Sequence, residues 1–312
     1  DPELIEQIGA AVGREARALG VSVVLGPGLN IKRHPLCGRN FEYFSEDPLV
    51  AGVLASAMVR GIQSQAVGAC LKHFAVNNQE SHRFVVDAIV DERTLREIYL
   101  AGFEYAVTTA RPWTVMAAYN LLNGEYCCDS SALLTSILRR EWGFDGLVMS
   151  DWGAENDRVS GVRAGMDLEM PGNGGVFDGA VAAAVEAGAL ESERVEVCAQ
   201  RVLALVERSP RGPAAAADFD AHDALARRAA AESSVLLVND GLLPLADGRR
   251  IAVVGAFADQ PRFQGSGSSL VNPTRVTTAL DAFAERGIEV AYAPGYDPQT
   301  SAVDDGLIAE AV

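Results

Sequence analysis

SALLTSILRREWGFDGLVMSDW, Ser131 to Trp152, contains one complete repeat of the pattern that decides the fold. Ser131 to Trp142 has helical spacing, Gly143 stops it, and Leu147 to Ser150 is a short apolar strand that hands over to a carboxylate, Asp151. The same rhythm runs in both directions. Upstream, Leu4, Ile8, Val12 and Leu19 form a helical stripe ahead of a strand at Val21 to Leu25, closed by Gly26-Pro27-Gly28. Pro48 to Gln65 is helical and leads to a strand at Ala69 to Phe74. Asp91 caps a helix carrying Leu95, Ile98, Gly102 and Tyr105 three or four apart, and Thr114 to Tyr119 follows as a strand. Downstream, a short helical turn precedes Met166 to Met170, which Pro171 stops.

Five such units, with strands apolar on both faces, predict an α/β fold: a parallel sheet with helices outside. Polar residues gather where strands end: Lys72 and His73, Tyr119 and Asn120, Ser150 and Asp151, and Glu169. A barrel carries its chemistry at that carboxyl face, and so many polar ends in succession favour one. An open doubly wound sheet would place them similarly near its switch point. Two helices then follow without a strand, Val176 to Gly188 and one capped by Ser192 with Val195, Cys198, Val202 and Leu205 on one face. SPRGPAAAAD, Ser209 to Asp218, reads as a linker. Beyond it the α/β pattern restarts: helix Phe219 to Ala231, strands Ser234 to Val238 and Ile251 to Gly255, helix Thr278 to Arg286, strand Glu289 to Tyr292. The reading is a barrel domain over 1–208, a linker over 209–218 and a second α/β domain over 219–312. Both domains are expected to be incomplete, since the chain opens directly into a helix and closes in another.

Composition narrows the function. Twenty-six basic and forty-two acidic residues leave a net charge of −16, a surface that repels phosphate backbones. Nucleic acid and anionic membrane are therefore poor partners, and no apolar run reaches the roughly 18–20 residues of a spanning helix. The 49 % apolar content supports a sizeable core. Four histidines lie at no metal-ligand spacing, so no metal or other cofactor is expected. Cys37, Cys70, Cys127, Cys128 and Cys198 form no framework and read as small buried hydrophobes, with one disulfide possible but unassignable.

Asp151 is the sharpest chemical candidate: a carboxylate at a strand end, followed by Trp152, which can wall or stack on a sugar ring. An ordinary alternative is a cap on the amides near Ala154. Lys72 and His73 can hold hydroxyls and keep a carboxylate charged; Lys72 could instead form an imine, or the pair could merely anchor a helix. Arg83 belongs to the same loop region. In GRNFEYFSEDP, Gly38 to Pro48, Arg39 and Glu42 could converge on a polar ligand or form a local salt bridge, while Glu46-Asp47-Pro48 starts a helix. GPGLN and GSGSS lack the residues of phosphate-binding loops, although the second could form an anion nest or project over a pocket.

Taken in order, LGPGLNI (Leu25 to Ile31), GRNFEYFSEDP, CLKHFAVNNQESHR (Cys70 to Arg83), MAAYN (Met116 to Asn120), GFDGLVMSDW (Gly143 to Trp152), AGMDLEMPG (Ala164 to Gly172), ESSVLLVNDGLLPL (Glu232 to Leu245), IAVVG and GSGSSLVNP (Gly265 to Pro273) resemble family 3 glycoside hydrolases of the β-glucosidase type. The resemblance implies a TIM-type (β/α)8-like barrel followed by an α/β sandwich, with the active site between them. It implies that Asp151 is the nucleophile of a retaining exo-β-glucosidase that forms a covalent glycosyl-aspartate. Arg39, Lys72, His73, Arg83 and Tyr119 match sugar-binding positions, Met116 and Trp152 line the subsite, and Ser266 matches the loop lent by the second domain. The substrate would be a β-glucoside, an oligosaccharide or a glucosylated small molecule such as the macrolides handled by some actinobacterial relatives. Within the same family a β-xylosidase or other exo-glycosidase is the alternative; a sugar-binding protein without catalysis, or an aldolase-like barrel using Lys72, belongs to other classes. The family's general acid/base is expected as a glutamate beyond Val312, and a further sugar-binding aspartate ahead of the first residue. Secretion is common in the family and is the expected localisation, with the cytoplasm as the alternative.

Overall fold

The computed structural model describes residues 1–312 except Pro213, Ala214, Asp247 and Ser266. The chain forms two compact units, Asp1–Ala229 and Ala230–Val312. In chain order the strands are β1 (Val23–Val24), β2 (Gly68–Phe74), β3 (Asp87–Ala88), β4 (Thr114–Ala117), β5 (Leu121–Leu122), β6 (Glu125–Tyr126), β7 (Leu147–Ser150), β8 (Ile251–Val254) and β9 (Val290–Ala293).

The first unit is built on an all-parallel sheet ordered β1-β2-β4-β7, with Val23 opposite Gly68, Cys70 opposite Thr114 and Thr114 opposite Leu147. The segment expected as a strand at Met166 to Met170 joins this sheet only by a parallel bridge, Met149 to Leu168. The reason is a side chain: Asp167 Oδ2 accepts the Val148 N–H at 2.8 Å, replacing part of a backbone ladder. Both faces of the sheet are buried. Ala69, Leu71, Val115, Ala117 and Val148 belong to the large cluster beneath the helices, while Cys70, Met116, Leu147 and Met149 form a second cluster on the opposite face. Strand alternation then places Asp151 on the face of Leu147 and Met149.

Helix α1 (Pro2–Ala18) starts at Asp1, whose carboxylate accepts the Leu4 N–H; α2 (Pro48–Gln63) starts at Asp47, which accepts from Leu49 and Val50. The aliphatic stripe read along α1 is only partly used: Leu4 is buried, but Leu19 is 82 % exposed. The two helices meet instead through glycines: a Cβ on Gly9 would lie 2.6 Å from the Met58 carbonyl oxygen, and one on Gly61 would lie closer still to the Glu6 carbonyl oxygen. Such backbone proximity leaves no room for a methyl group. Gly9→Ala is therefore expected to cost about 1–3 kcal/mol, measured as a lowered denaturation midpoint at unchanged slope.

The next helix, α3 (92–110), passes through a wider π turn at Leu95–Leu100. That turn rotates the helix face, so Leu100, Phe103 and Val107 are buried, whereas Ile98 and Tyr105, expected inside, are more than a third exposed. Helix α4 (Ala132–Glu141) also winds in the wider register and ends before Gly143, whose φ of 71° suits glycine. After it come α5 (Arg158–Ala164), α6 (Asp178–Glu186), α7 (Ser192–Arg208) and α8 (Phe219–Glu232). Glu191, not Ser192, is the N-cap residue of α7, while Cys198 is buried on the face read from the sequence. On α8, His222 Nδ1 lies 2.6 Å from Glu15 Oε1 of α1.

In the second unit β8 and β9 pair in parallel, Ile251 opposite Val290, with the N-terminus of α9 (Ala279–Glu285) held by a capping box of Thr278 and Asp281. Helix α10 is Asp305–Ala311. The strand expected at Ser234 to Val238 is not formed. Val235 to Val238 are 63–87 % exposed, and none of them joins the β8–β9 ladder that a strand would need as a partner.

Candidate active site

Asp151 leaves the sheet directly after β7, its N–H bonded to the Ala117 carbonyl at 3.0 Å. Its two carboxylate oxygens have different surroundings. Oδ1 accepts the Trp152 N–H at 2.7 Å. Oδ2 is buried without a hydrogen-bond partner among the described residues, 3.6 Å from His73 Nε2. A cap at Ala154 is not made by this side chain, because the Ala154 N–H goes to the Asp151 backbone carbonyl at 3.0 Å. One oxygen is thus fixed, and the other has no hydrogen bond to give up.

His73 is clamped by Asn30. Its N–H donates to Asn30 Oδ1 at 2.7 Å, and Asn30 Nδ2 donates to the His73 carbonyl at 2.8 Å. Burial, aided by Arg39, Lys72 and Arg83, holds the imidazole pKa well below its ordinary value, so the ring is neutral. Arg39 Nη2, 2.9 Å away, can only donate, which assigns the lone pair to Nε2 and the hydrogen to Nδ1. Nδ1 then faces Tyr43 Oη at 3.1 Å and Asn30 Oδ1 at 3.3 Å. The ladder register shifts between Leu71 and Phe74, and both Lys72 and His73 reach the same polar cluster.

Around them charges alternate. Glu42 bonds Arg39 and lies 3.1 Å from Lys72 Nζ. Glu80 Oε2 is 2.9 Å from Arg83 Nη1 and 3.9 Å from Arg39 Nη1. Burial works against the Arg39–Glu42 pair, but their mutual bonding prevails, leaving the carboxyl below its usual range and the guanidinium above. The Arg39–Glu42 salt bridge and the converging cluster expected from the sequence are thus one and the same arrangement.

Arg83 stacks its guanidinium 4.5 Å over the Tyr119 ring and 5.2 Å over Phe84. The Tyr119 hydroxyl donates to the Trp152 carbonyl at 3.1 Å, and burial together with the Asp151 carboxylate pushes its pKa up to about 12. Trp152 itself is 43 % exposed and presents its ring to solvent. Met116 is 2 % exposed and lies in the apolar cluster one layer before the polar strand ends. Ser266 lies outside the described residues. Three partners escaped the sequence reading: Asn30, Tyr43 and the ion-pairing role of Glu80. Asn30 directly after GPGL, and the tyrosine between Glu42 and Phe44, are the only signals the chain offers for the first two.

Among the described residues no cluster of three His, Cys, Asp or Glu could hold a metal ion. All five cysteines are free thiols, four of them buried. Glu169 is bonded by Asn173 Nδ2 at 2.9 and 2.8 Å. Glu155 differs: its side chain is fully buried beside Gly161 of α5, with neither oxygen hydrogen-bonded and Arg158 Nη1 3.7 Å away. Burial pushes its pKa up to about 8; Arg158 opposes this, and Asp129, Glu169 and Asp157 add to it. An unfolded glutamate ionises near 4.5 while the folded one stays protonated, so stability should fall as pH rises from about 4.5 to 8. Glu155→Gln is expected to flatten that fall and to gain roughly 2–4 kcal/mol at pH 7, with no gain at pH 4. Denaturation midpoints across this range check it; parallel curves for the two proteins would contradict it.

Two family models match the chain in order, the N-terminal domain of glycosyl hydrolase family 3 over residues 1–205 and its C-terminal domain over residues 234–310. Thermostable beta-glucosidase B of Acetivibrio thermocellus is 53 % identical over 100 % of this chain and 42 % of its own length. An exo-alpha-(1->6)-L-arabinopyranosidase of Bifidobacterium longum is 46 % identical over 100 % of this chain and 43 % of its own. The crystal structure of a beta-glucosidase from Bifidobacterium adolescentis superposes with a TM-score of 0.94 at 47 % identity, covering 100 % of this chain and 46 % of that one. The chain thus spans less than half the length of these relatives. Their shared architecture, a TIM-like barrel followed by an α/β sandwich, is the one the strand–helix rhythm and the motifs pointed to. The polar strand ends around Asp151 fall within the first matched domain and the β8–β9 pair within the second: the chain belongs to glycoside hydrolase family 3.

Proposed function

We propose that the protein is a retaining exo-β-glucosidase in which Asp151 attacks the anomeric carbon. The observation that carries this reading is the unequal carboxylate: Oδ1 held by the Trp152 amide, Oδ2 buried and unbonded beside a neutral His73. As the glycosidic bond breaks, Oδ2 forms a bond to C1 and a glycosyl-aspartate results; water then releases the sugar with a second inversion. Lys72, Arg39 and Arg83 supply donors for sugar hydroxyls, the His73 Nε2 lone pair supplies an acceptor, and Tyr119 and Trp152 supply aromatic walls. The departing oxygen needs a proton donor about 5–5.5 Å from the nucleophile. The family resemblance assigns this to a glutamate beyond Val312. In keeping with that, Glu80 is tied to Arg83, Glu169 to Asn173, and Glu155 is sealed from solvent.

The arabinopyranosidase relative favours a second reading of the glycone, a pentopyranoside, since that relative is similar along the whole of this chain. The expected result is a higher kcat/KM for a nitrophenyl β-glucoside than for the corresponding α-L-arabinopyranoside or β-xyloside. Proton NMR should show β-glucose as the first product. A pentoside preference would change the glycone, and α-glucose appearing first would overturn retention.

A further inference from the structure

A cavity of about 180 Å3 lies between α4 and α7, ringed by Arg139, Arg140, Arg194 and Arg201 and floored by Thr135 and Gly165. It is separate from the polar strand ends. Arg139 Nη1 donates to the Gly146 carbonyl, just before β7 begins, whereas Asp151 follows the last residue of that strand. Five residues of extended chain put the two about 16 Å apart, at opposite ends of β7.

The arginines are of two kinds. Arg139 is structural in part: its Nη2 donates to Gly165 O at 3.1 Å and to Asp167 Oδ2 at 2.6 Å, and Arg201 Nη1 meets the other oxygen of Asp167 at 2.8 Å. Yet the Arg139 side chain is only 9 % exposed and its Nε is buried with no acceptor. A buried guanidinium N–H without a partner is costly and is normally satisfied. It faces the place where Gly165 lacks a side chain: a Cβ there would lie 3.5 Å from Arg139 Nε and 3.0 Å from Thr135 Oγ1. Arg140 and Arg194 on the rim are exposed and make no ion pair among the described residues. Among the described residues Asp167 pairs with Arg139 and Arg201, and Arg140 and Arg194 pair with no carboxylate, so positive charge is in excess at this cavity on a chain of net charge −16. The local excess of guanidiniums attracts a small anion at short range, against the repulsion of the acidic surface as a whole.

We propose that this cavity is a binding site for a tetrahedral oxyanion, inorganic phosphate or the phosphoryl group of a small phosphomonoester, held at its mouth by Arg140 and Arg194 beside Arg201. Planar guanidinium forks match such oxygens in geometry and charge. The volume accommodates one oxyanion together with a water or two of about 30 Å3 each. Binding to the folded state alone raises stability by mass action.

The test is calorimetric titration of the intact protein with sodium phosphate against sodium chloride at equal ionic strength, beside thermal melts in both salts. One saturable site per chain and a melting temperature raised by several degrees in phosphate alone are expected. Arg140→Ala/Arg194→Ala, two exposed positions remote from Asp151, should weaken phosphate at least tenfold and leave β-glucoside turnover unchanged. Glycerol phosphate, with glycerol as control, identifies the source: tighter binding than phosphate indicates a metabolite, weaker binding the free ion. Absence of saturable phosphate and glycerol phosphate binding, or a double variant that binds as tightly as the parent, would overturn the site.

Discussion

Asp151→Asn is expected to fold as the parent does and to lose roughly ten-thousand-fold or more of its kcat toward an aryl β-glucoside. Folding should survive because asparagine keeps the oxygen that accepts the Trp152 amide, and because Oδ2 has no bond to lose. The replacement puts an amide beside His73 Nε2, whose lone pair already faces Arg39, so the local network needs no rebuilding. What disappears is the nucleophile. An amide nitrogen does not form a glycosyl ester, and removing the group that bonds to carbon affects the transition state far more than substrate binding. Circular dichroism and initial rates check this. A variant that folds and keeps kcat within tenfold would remove Asp151 from the mechanism.

The second large effect concerns Lys72. Its ammonium lies 3.1 Å from Glu42 Oε2, within the chain of charges that runs through Arg39 to Glu80 and Arg83. Lys72→Ala removes a donor and leaves Glu42 with Arg39 alone. If Lys72 bonds a sugar hydroxyl more strongly as charge develops at C1, kcat/KM should fall by about 2–4 kcal/mol, or roughly 30- to 1,000-fold, for every β-glucoside whatever its aglycone. The Glu42 carboxyl, held below its usual range partly by Lys72, should titrate at higher pH in the variant, moving the acidic limb of the rate profile upward. Loss confined to some aglycones would place Lys72 in the outer part of the pocket. Inactivation by borohydride in the presence of substrate would instead indicate an imine at Lys72.

Much of this site was legible in the chain because strands write their geometry at period two. Leu147, Met149 and Asp151 share parity, so the carboxylate follows the inward apolar side chains, and the structure places it there. The bulge after Leu71 was not legible, although both Lys72 and His73 depend on it. Tyr43 and Asn30 lie in loops, where no periodicity marks a side chain as buried, and their importance comes from contacts 30 and 43 residues away in sequence. The helices misled in two places for physical reasons. Gly9 and Gly61 bring α1 and α2 together more closely than aliphatic side chains would, and Leu19 falls past the end of α1 as its C-cap residue, outside the contact. The π turn in α3 rotates Ile98 and Tyr105 toward solvent. In the second unit, Val235 to Val238 have the composition of a buried strand, but composition does not supply a neighbour, and they remain exposed.

The most direct measurement is to incubate the protein with a 2-deoxy-2-fluoro-β-glucoside bearing a dinitrophenyl leaving group and to sequence the labelled peptide by mass spectrometry. The fluorine slows release of the glycosyl ester more than its formation when the leaving group is this good, so the intermediate accumulates. The prediction is one fluoroglucosyl group per chain, on Asp151, in step with loss of activity and absent from Asp151→Asn. A label on another carboxylate in a protein inactivated at the same rate would contradict the assignment of Asp151 as the nucleophile.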